Sequence, residues 1–462
     1  MAKYDLVIKN GTVVTAADTF KADVAVKNQK IVEIGENILA TEADRVYDAN
    51  GMYLIPGGID AHTHLDMPFG GTYSSDDFCT GTKAAAIGGT TTIVDFAVQP
   101  QGKTLHETAD IWRKKADNKA VIDYGIHIAV TQINDDVKKE IPQVISEGYS
   151  SFKVFMVYDN MRVDDFTLIE VLKTASEAGG LIGVHAENYY AIKYLTEKLL
   201  SEGKIEPKYH AMSRPYICEE EATNRAIKMA QISNAPLHVV HVSCEESAAA
   251  IKKAREKGLP VMGETCPQYL LLDDTRYEEP NFNGSKYVMS PPLRNKKNNE
   301  ALWKMINDGV LQTIATDHCP FFMKQKELGK DDFTKIPNGA PGIELRMALM
   351  YSEGVDKGRI SLNKFVEITS TNSAKIFGMY PKKGTIAVGS DADIVVLDPN
   401  KKVKITKGIL HENVDYTPYE GFEIKGYPVA TFSRGDLIAE NGKFVGEEGR
   451  GEFIKRGAPI IV

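Results

Sequence analysis

Cysteine is scarce in this chain of 462 residues: Cys79, Cys218, Cys244, Cys266 and Cys319 are five in number, scattered, and form no C-x-x-C pair. That pattern argues against a disulfide framework and against a cysteine-based zinc site, and it points to a reducing, cytoplasmic compartment. The thiols read as packing residues. Cys319 stands apart because it lies two residues past a candidate ligand, Asp317. No uninterrupted apolar run is long enough to span a bilayer, and the opening Met1-Ala2-Lys3-Tyr4-Asp5 lacks the charged-then-apolar layout of a signal peptide, so no membrane role is expected. There is no dense basic stretch, and the net charge of -8 is modestly acidic, which argues against nucleic acid as a partner. With 26% charged and 43% hydrophobic residues, the composition is that of an ordinary soluble globular protein, long enough for two or three domains.

Both ends of the chain alternate apolar and polar residues. Near the start, Asp5–Ile8, Gly11–Val14, Ala22–Val26 and Lys30–Ile34 read as strands in hairpins, with Asn10-Gly11 and Lys27–Gln29 as turns. Near the end, Ala392–Leu397, Val403–Ile405, Pro428–Phe432 and Leu437–Ala439 have the same texture, and Asn441-Gly442 reads as a tight turn. Neither half can bury a core alone, so the two are expected to combine into one small β-sandwich. The middle changes rhythm. Strand-like runs at Leu54–Ala61, Thr90–Phe96, Tyr124–Val130, Ser151–Phe155, Leu181–Val184, Leu237–Val240, Pro260–Gly263 and Thr313–Thr316 are separated by helix-length stretches or long loops. Eight buried strands with crossovers predict an α/β fold, a (β/α)8 TIM-like barrel. A doubly wound sheet also alternates in this way, but no G-x-G-x-x-G or P-loop follows the first strand. The expected division is 1–54 and 381–440 as the two parts of the β-sandwich, 55–380 as the barrel, and 441–462 as a tail suited to oligomerisation through Phe453, Ile454 and Pro459–Val462.

Barrel enzymes place their chemistry at the C-terminal ends of the strands. Here the first strand ends in His62 and His64, the fourth carries Lys153, the fifth ends in His185, the sixth in His241 and the eighth in Asp317. These are the side chains expected of a two-metal site. A lysine inside an apolar strand is costly to bury as an ammonium. A snorkelling or ion-paired lysine is one reading of Lys153. The other is a desolvated amine that loses its proton, reacts with carbon dioxide and becomes an anionic carbamate able to bridge two cations.

Four segments in order then carry a family resemblance: Asp60-Ala61-His62-Thr63-His64-Leu65-Asp66-Met67-Pro68-Phe69-Gly70-Gly71, Phe152-Lys153-Val154-Phe155-Met156, Gly263-Glu264-Thr265-Cys266-Pro267-Gln268-Tyr269 and Ser290-Pro291-Pro292-Leu293-Arg294. Over nearly its whole length the chain resembles the cyclic amidases of the amidohydrolase superfamily, the hydantoinases and dihydropyrimidinases, and most of all a microbial D-hydantoinase. The resemblance implies metal-dependent hydrolysis of 5,6-dihydropyrimidines or 5-substituted hydantoins to N-carbamoyl amino acids. It implies that His62 and His64 bind one divalent metal and that His185 and His241 bind the other. Carbamylated Lys153 and a hydroxide would bridge them, and Asp317 would ligate the first metal and carry the proton. Zinc is the family default, with manganese or cobalt tolerated. Tyr158 takes the place of a tyrosine that faces the substrate carbonyl. Ser290 and Asn338, the latter in the context Pro337-Asn338-Gly339, take the places of groups that bind the ring amides. A homotetramer, or a homodimer, is the implied assembly.

Leu65, Met67 and Phe69, with Phe155, are candidates to line the pocket for the ring's substituent; ordinary packing explains any one of them equally well. His238 is expected to point away from or below the rim as a structural group, and His318 to orient a ligand or bond the product. Glu264 ends the seventh strand but is not read as a ligand. His106, His127, His210 and His411 have no supporting context and read as surface or packing residues. Dihydroorotase is an alternative that needs a cation for the substrate carboxylate, usually an arginine two residues beyond H-x-H; Asp66 stands there and would repel it. Allantoinase is closer in chemistry, and Tyr158 with the apolar loop weighs against it. A relative that had lost its ligands and serves as a scaffold would lack several of the six, and all six are present.

Overall fold

In the computed structural model, which describes residues 2–462, the middle of the chain is a (β/α)8 barrel. Its strands are Gly58–Thr63, Thr90–Val98, Asp123–Ala129, Ser151–Phe155, Leu181–His185, Leu237–Val239, Val261–Thr265 and Thr313–Ile314, parallel neighbours in that order. Apart from Val98, every residue in these strands is buried, as expected for a parallel sheet with helices outside and side chains packed inside. Several outer helices start where an oxygen-bearing side chain caps them. Thr104 and Glu107 form a reciprocal capping box at Leu105–Ala116, and Asn134, Asp164 and Asn188 accept from the first-turn amides of the helices that follow them.

The barrel closes between its last and first strands through side chains as well as backbone. Thr316 donates to Asp60 from its hydroxyl at 2.6 Å and from its amide at 3.1 Å, and the His64 amide donates to the His318 carbonyl at 2.9 Å. These bonds lock the first strand, which leads into His64, to the segment after the last strand, which holds Asp317.

The two chain ends meet in one nine-stranded sheet among the described residues. Ile394–Lys404 pairs antiparallel with Tyr53–Pro56, which joins C-terminal strands to N-terminal ones. Leu6, Val24 and Leu54 share one apolar core with Ile394, Val396 and Phe432, so the ends bury together what neither buries alone.

The strand expected over Leu54–Ala61 is two. Tyr53–Pro56 belongs to the sheet of the ends, and the barrel begins at Gly58. Gly57 separates them, packed so closely that a Cβ there would lie 2.0 Å from the Thr91 hydroxyl. Asn10-Gly11 is not a turn. Tyr4–Val14 is one strand with an irregularity between Ile8 and Gly11, where Asn10 takes φ 62° and its amide donates to Asp23. Similarly, Ala392–Leu397 and Val403–Ile405 fall in one bulged strand, Ile394–Lys404. The tail is also different from expectation. Ile454 is buried beneath the barrel with Ile59, Val94 and Met262, and Phe453 packs on Tyr124 and Tyr149. These two residues cap the barrel's own floor because that end of a barrel exposes apolar side chains that need covering. Ile460 and Ile461, near the end of the tail, stay exposed.

Barrel floor and sheet are tied by a buried cation. The Lys383 ammonium lies 2.6 Å from Asp123, 2.7 Å from Asp393 and 3.0 Å from Asp391. Asp123 opens the third barrel strand, and Asp393 immediately precedes the strand at Ile394. Removing the cation leaves buried Asp393 without a cationic partner, and leaves Asp123 with Arg434 and Asp391 with Lys30. Lys383→Met is therefore expected to lower the unfolding free energy by about 3–5 kcal/mol, read as a lower urea midpoint; an unchanged midpoint contradicts the assignment.

Candidate active site

The strand ends bring the six candidate ligands to one rim. His62, His64, Lys153, His185 and His241 are all buried, and the Asp317 side chain is 13% exposed. Asp317 Oδ1 lies 3.2 Å from His62 Nε2 and 3.0 Å from His64 Nε2, and Lys153 Nζ lies 3.0 Å from His62 Nε2. The His185 and His241 rings meet edge to face with centroids 4.4 Å apart, and the His241 centroid is 5.3 Å from that of His62. One donor atom from each of His62, His241 and Asp317 falls within 4.8 Å of the others.

Backbone strain aims three of the functional side chains. Tyr158, His241 and Asp317 have φ values of 76°, 41° and 53°, in the left-handed region that costs non-glycine residues about 1–3 kcal/mol each. Each lies just past the end of its strand, where the chain turns and the side chain is redirected into the rim.

The electrostatics of the surrounding protein favour the ligand forms of most of these groups. Burial lowers His64 to about 4, and it also lowers His185 and, strongly, His241, so these imidazoles are neutral. Burial lowers Lys153 to about 8 against the pull of Asp317 and Glu264, which brings the reactive amine within reach near neutral pH. Asp317 is held well below the usual carboxylate range despite its burial, because His62 and His64 face it. Burial also works against a charged His62, yet the Asp317 and Glu264 carboxylates prevail and raise it. Positive charge is thus favoured at the point where His62 Nε2, His64 Nε2 and Asp317 converge.

The residues fit a divalent metal pair by chemistry. Neutral imidazoles and a carboxylate are suitable donors, and His64 Nδ1 and His241 Nδ1 are buried with no hydrogen-bond partner among the described residues. Two carboxylates outside the ligand set fix ring orientation. Glu264 accepts from His62 Nδ1 at 2.7 Å, leaving Nε2 toward the rim, and Glu187 accepts from His185 Nε2 at 2.7 Å. Arg214 in turn donates to Glu187 at 2.8 Å. Glu187 was missed in the sequence, although its H-x-E spacing from His185 was a usable signal. Glu264 lies behind His62, with His238 at 3.5 Å on its other oxygen.

The inner chamber encloses about 50 Å³ and is lined by His64, Lys153, His185, His241 and Asp317 together with Met67, Phe69, Phe155, Tyr158, Ser290 and Asn338. It leads past Phe69, Tyr158 and Asn338 to a wider antechamber of about 850 Å³. Ser290 donates to Asn338 Oδ1 at 2.6 Å, and burial keeps the Tyr158 hydroxyl protonated. Cys319 also reaches the chamber wall.

Several expectations need correction. Leu65 does not line the chamber; it has no exposed surface and points behind the loop, where a Cβ on Gly81 would meet it at 2.5 Å. Met67, Phe69 and Phe155 form the apolar wall instead. The His318 ring does not reach the product side, since it ends on Asp76 at 3.0 Å and accepts from the Gly342 amide; only its carbonyl supports the site, through His64. Asp66 is not in the chamber and lies 3.4 Å from Lys115, so it supplies no cation for a carboxylate substrate but does not repel one either. His210, read as a surface or packing residue, is buried, with Nε2 donating to the Met289 carbonyl at 2.9 Å and lying 3.3 Å from the Ser290 hydroxyl.

Comparison with known proteins agrees with this geometry. Residues 53–438 match the amidohydrolase family. The chain is 53% identical over 452 residues to a D-hydantoinase from Geobacillus stearothermophilus, covering 97% of this chain and 96% of that protein. It is 44% identical over 454 residues to a D-phenylhydantoinase from Escherichia coli strain K12, covering 98% of each. The crystal structure of a dihydropyrimidinase from Brevibacillus agri NCHU1002 superposes with a TM-score of 0.97 at 55% identity, covering 98% of this chain and 99% of that one. With the fold, the strand-end donors and full-length likeness all in agreement, the chain belongs to the amidohydrolase family, among its hydantoinases and dihydropyrimidinases.

Proposed function

We propose that this protein hydrolyses the cyclic amide bond of 5-substituted hydantoins and 5,6-dihydropyrimidines, giving N-carbamoyl amino acids. The observation that carries the reading is the buried Lys153 amine 3.0 Å from His62 Nε2, in a chamber that also holds His64, His185, His241 and Asp317. Relatives named for hydantoin hydrolysis, similar over the full length, support it. A neutral ring fits better than dihydroorotate, because among the described residues no arginine lines the inner chamber to pair with a substrate carboxylate.

In this reading His62 and His64 would hold one divalent ion, and His185 and His241 would hold the other. The neutral Lys153 amine, on adding carbon dioxide and releasing a proton, would become a carbamate that supplies anionic oxygen donors to them. Zinc suits these donors, and manganese or cobalt would also be accepted. When bound, the ions supply Lewis acidity that makes water a nucleophile near neutral pH. Asp317, kept ionised by His62 and His64, accepts the proton of the attacking water and passes it to the departing ring nitrogen. The protonated Tyr158 hydroxyl donates to the carbonyl oxygen as its charge grows. Ser290 and Asn338, already bonded to each other, hold the ring amides, and Met67, Phe69 and Phe155 face the substituent.

A homotetramer or homodimer is part of the same proposal. Tyr190, Tyr194, Ile217 and Ile232 leave large apolar areas exposed on the helices Tyr189–Ser201 and Tyr216–Ile232, which supports association. A cytoplasmic location is supported by five free cysteines. Among the described residues no helix is long and apolar enough to cross a membrane.

Two variants test the chemistry. Lys153→Ala is expected to lose bound metal and turnover together, and added short-chain carboxylic acids should restore part of both; normal turnover without them contradicts the bridging role. Tyr158→Phe should retain both metals while kcat for 5-phenylhydantoin falls by about 100-fold or more, the usual loss for an oxyanion donor. Unchanged kcat removes the tyrosine from the mechanism.

A further inference from the structure

Behind the substrate side of the chamber lies a cation that contacts backbone rather than a carboxylate. Lys326 has no exposed surface. Its ammonium donates to the carbonyls of Pro337 at 2.6 Å, Gly339 at 2.7 Å and Val288 at 3.0 Å. An ammonium has three donors and no acceptor, so this set saturates it. Burial lowers Lys326 to about 7, so the set is complete in the protonated form, from neutral pH downward. Methionine would leave the Pro337 and Gly339 carbonyls without this donor, while Val288 would keep the Gly339 amide.

The three carbonyls belong to the two segments that present Ser290 and Asn338. Those segments also meet directly: the Gly339 amide donates to Val288 at 3.0 Å, and Ser290 donates to Asn338 at 2.6 Å. Gly339 has φ 142°, and a Cβ there would lie 2.3 Å from the Cys319 carbonyl, so the loop is drawn tightly against the segment that follows Asp317. Lys326 itself stands on a fixed base. It ends the short helix Met323–Lys326, whose Gln325 donates to the Thr72 hydroxyl at 2.7 Å and to the Tyr73 carbonyl at 2.8 Å. Thr72 pairs with Phe69 of the chamber wall.

We propose that Lys326 is a positioning residue whose ammonium clamps the Val288–Ser290 and Pro337–Gly339 segments together and so sets the spacing at which Ser290 and Asn338 receive the substrate ring. The proposal rests on the reading of Ser290 and Asn338 as ring-binding groups. The clamp acts on affinity, because none of its bonds reaches the metal ligands or Tyr158.

The test uses the metal-loaded full chain with 5-phenylhydantoin and dihydrouracil, and compares Lys326→Met, Lys326→Gln, Ser290→Ala, Asn338→Ala and the double variant Lys326→Met/Ser290→Ala. Lys326→Met is expected to raise KM about tenfold, with kcat and metal content little changed, as the loss of a few net hydrogen bonds in a binding segment implies. Lys326→Gln, which keeps two donors, should recover part of the loss. The double variant should be no worse than the weaker-binding single one, because Lys326 acts through Ser290. Unchanged KM in Lys326→Met beside raised KM in Ser290→Ala overturns the clamp alone. Additive effects, loss of metal, or failure of both Lys326 variants to fold also overturn it, making the lysine merely structural. Unchanged KM in both Ser290→Ala and Asn338→Ala removes the ring-binding reading, and the clamp with it.

Discussion

A primary amine inside a closed barrel is the constraint around which this protein is built. Lys153 is 1% exposed, stands 3.0 Å from His62 Nε2, and lies 4.3 Å above the Phe96 ring. Burial destabilises its ammonium form and frees the amine for carbamate chemistry. A carbamate there would be a buried anion in need of cations, and cations in need of neutral imidazoles. The same burial keeps His64, His185 and His241 neutral. One physical cause, exclusion of water from the barrel interior, therefore sets the protonation of both the bridge and its surrounding ligands.

The rest of the fold serves to hold that arrangement still. Glu264 and Glu187 choose which nitrogen His62 and His185 present, and Arg214 pairs with Glu187 in turn. The left-handed backbone at Tyr158, His241 and Asp317 persists because each lies just past a fully buried strand on a closed barrel whose first and last strands are bonded through Asp60 and Thr316. Farther out, Lys383 and Lys326 do the same job with opposite partners. Lys383 gathers carboxylates between barrel and sheet, and Lys326 gathers carbonyls between two substrate-side segments.

Legible in the chain were the places where a buried strand ends in a polar side chain. H-x-H after an apolar run, a lysine within Ser151–Phe155, and single histidines after Leu181–Val184 and Leu237–Val240 marked the rim without a structure, since period and length identify such strands. Tyr158, Ser290 and Asn338 came from likeness to relatives, as no local pattern distinguishes them from loop residues. Less visible were features set by distant contacts. Gly57 breaks a run that reads as one strand because Thr91 packs against it, and Asn10 makes a bulge because Asp23 takes its amide. Leu65 turns inward toward Gly81, and Phe453 and Ile454 fold under the barrel. Lys326 looks like one more surface lysine until Val288, Pro337 and Gly339 are brought to it.

The central claim is that six side chains from five strands hold a pair of divalent ions bridged by a modified Lys153. Anomalous diffraction from crystals of the metal-loaded protein tests it most directly. Two peaks are expected, one beside His62, His64 and Asp317 and the other beside His185 and His241, with electron density continuing beyond Lys153 Nζ between them. A single peak, or an unmodified amine in fully loaded protein, would contradict the account.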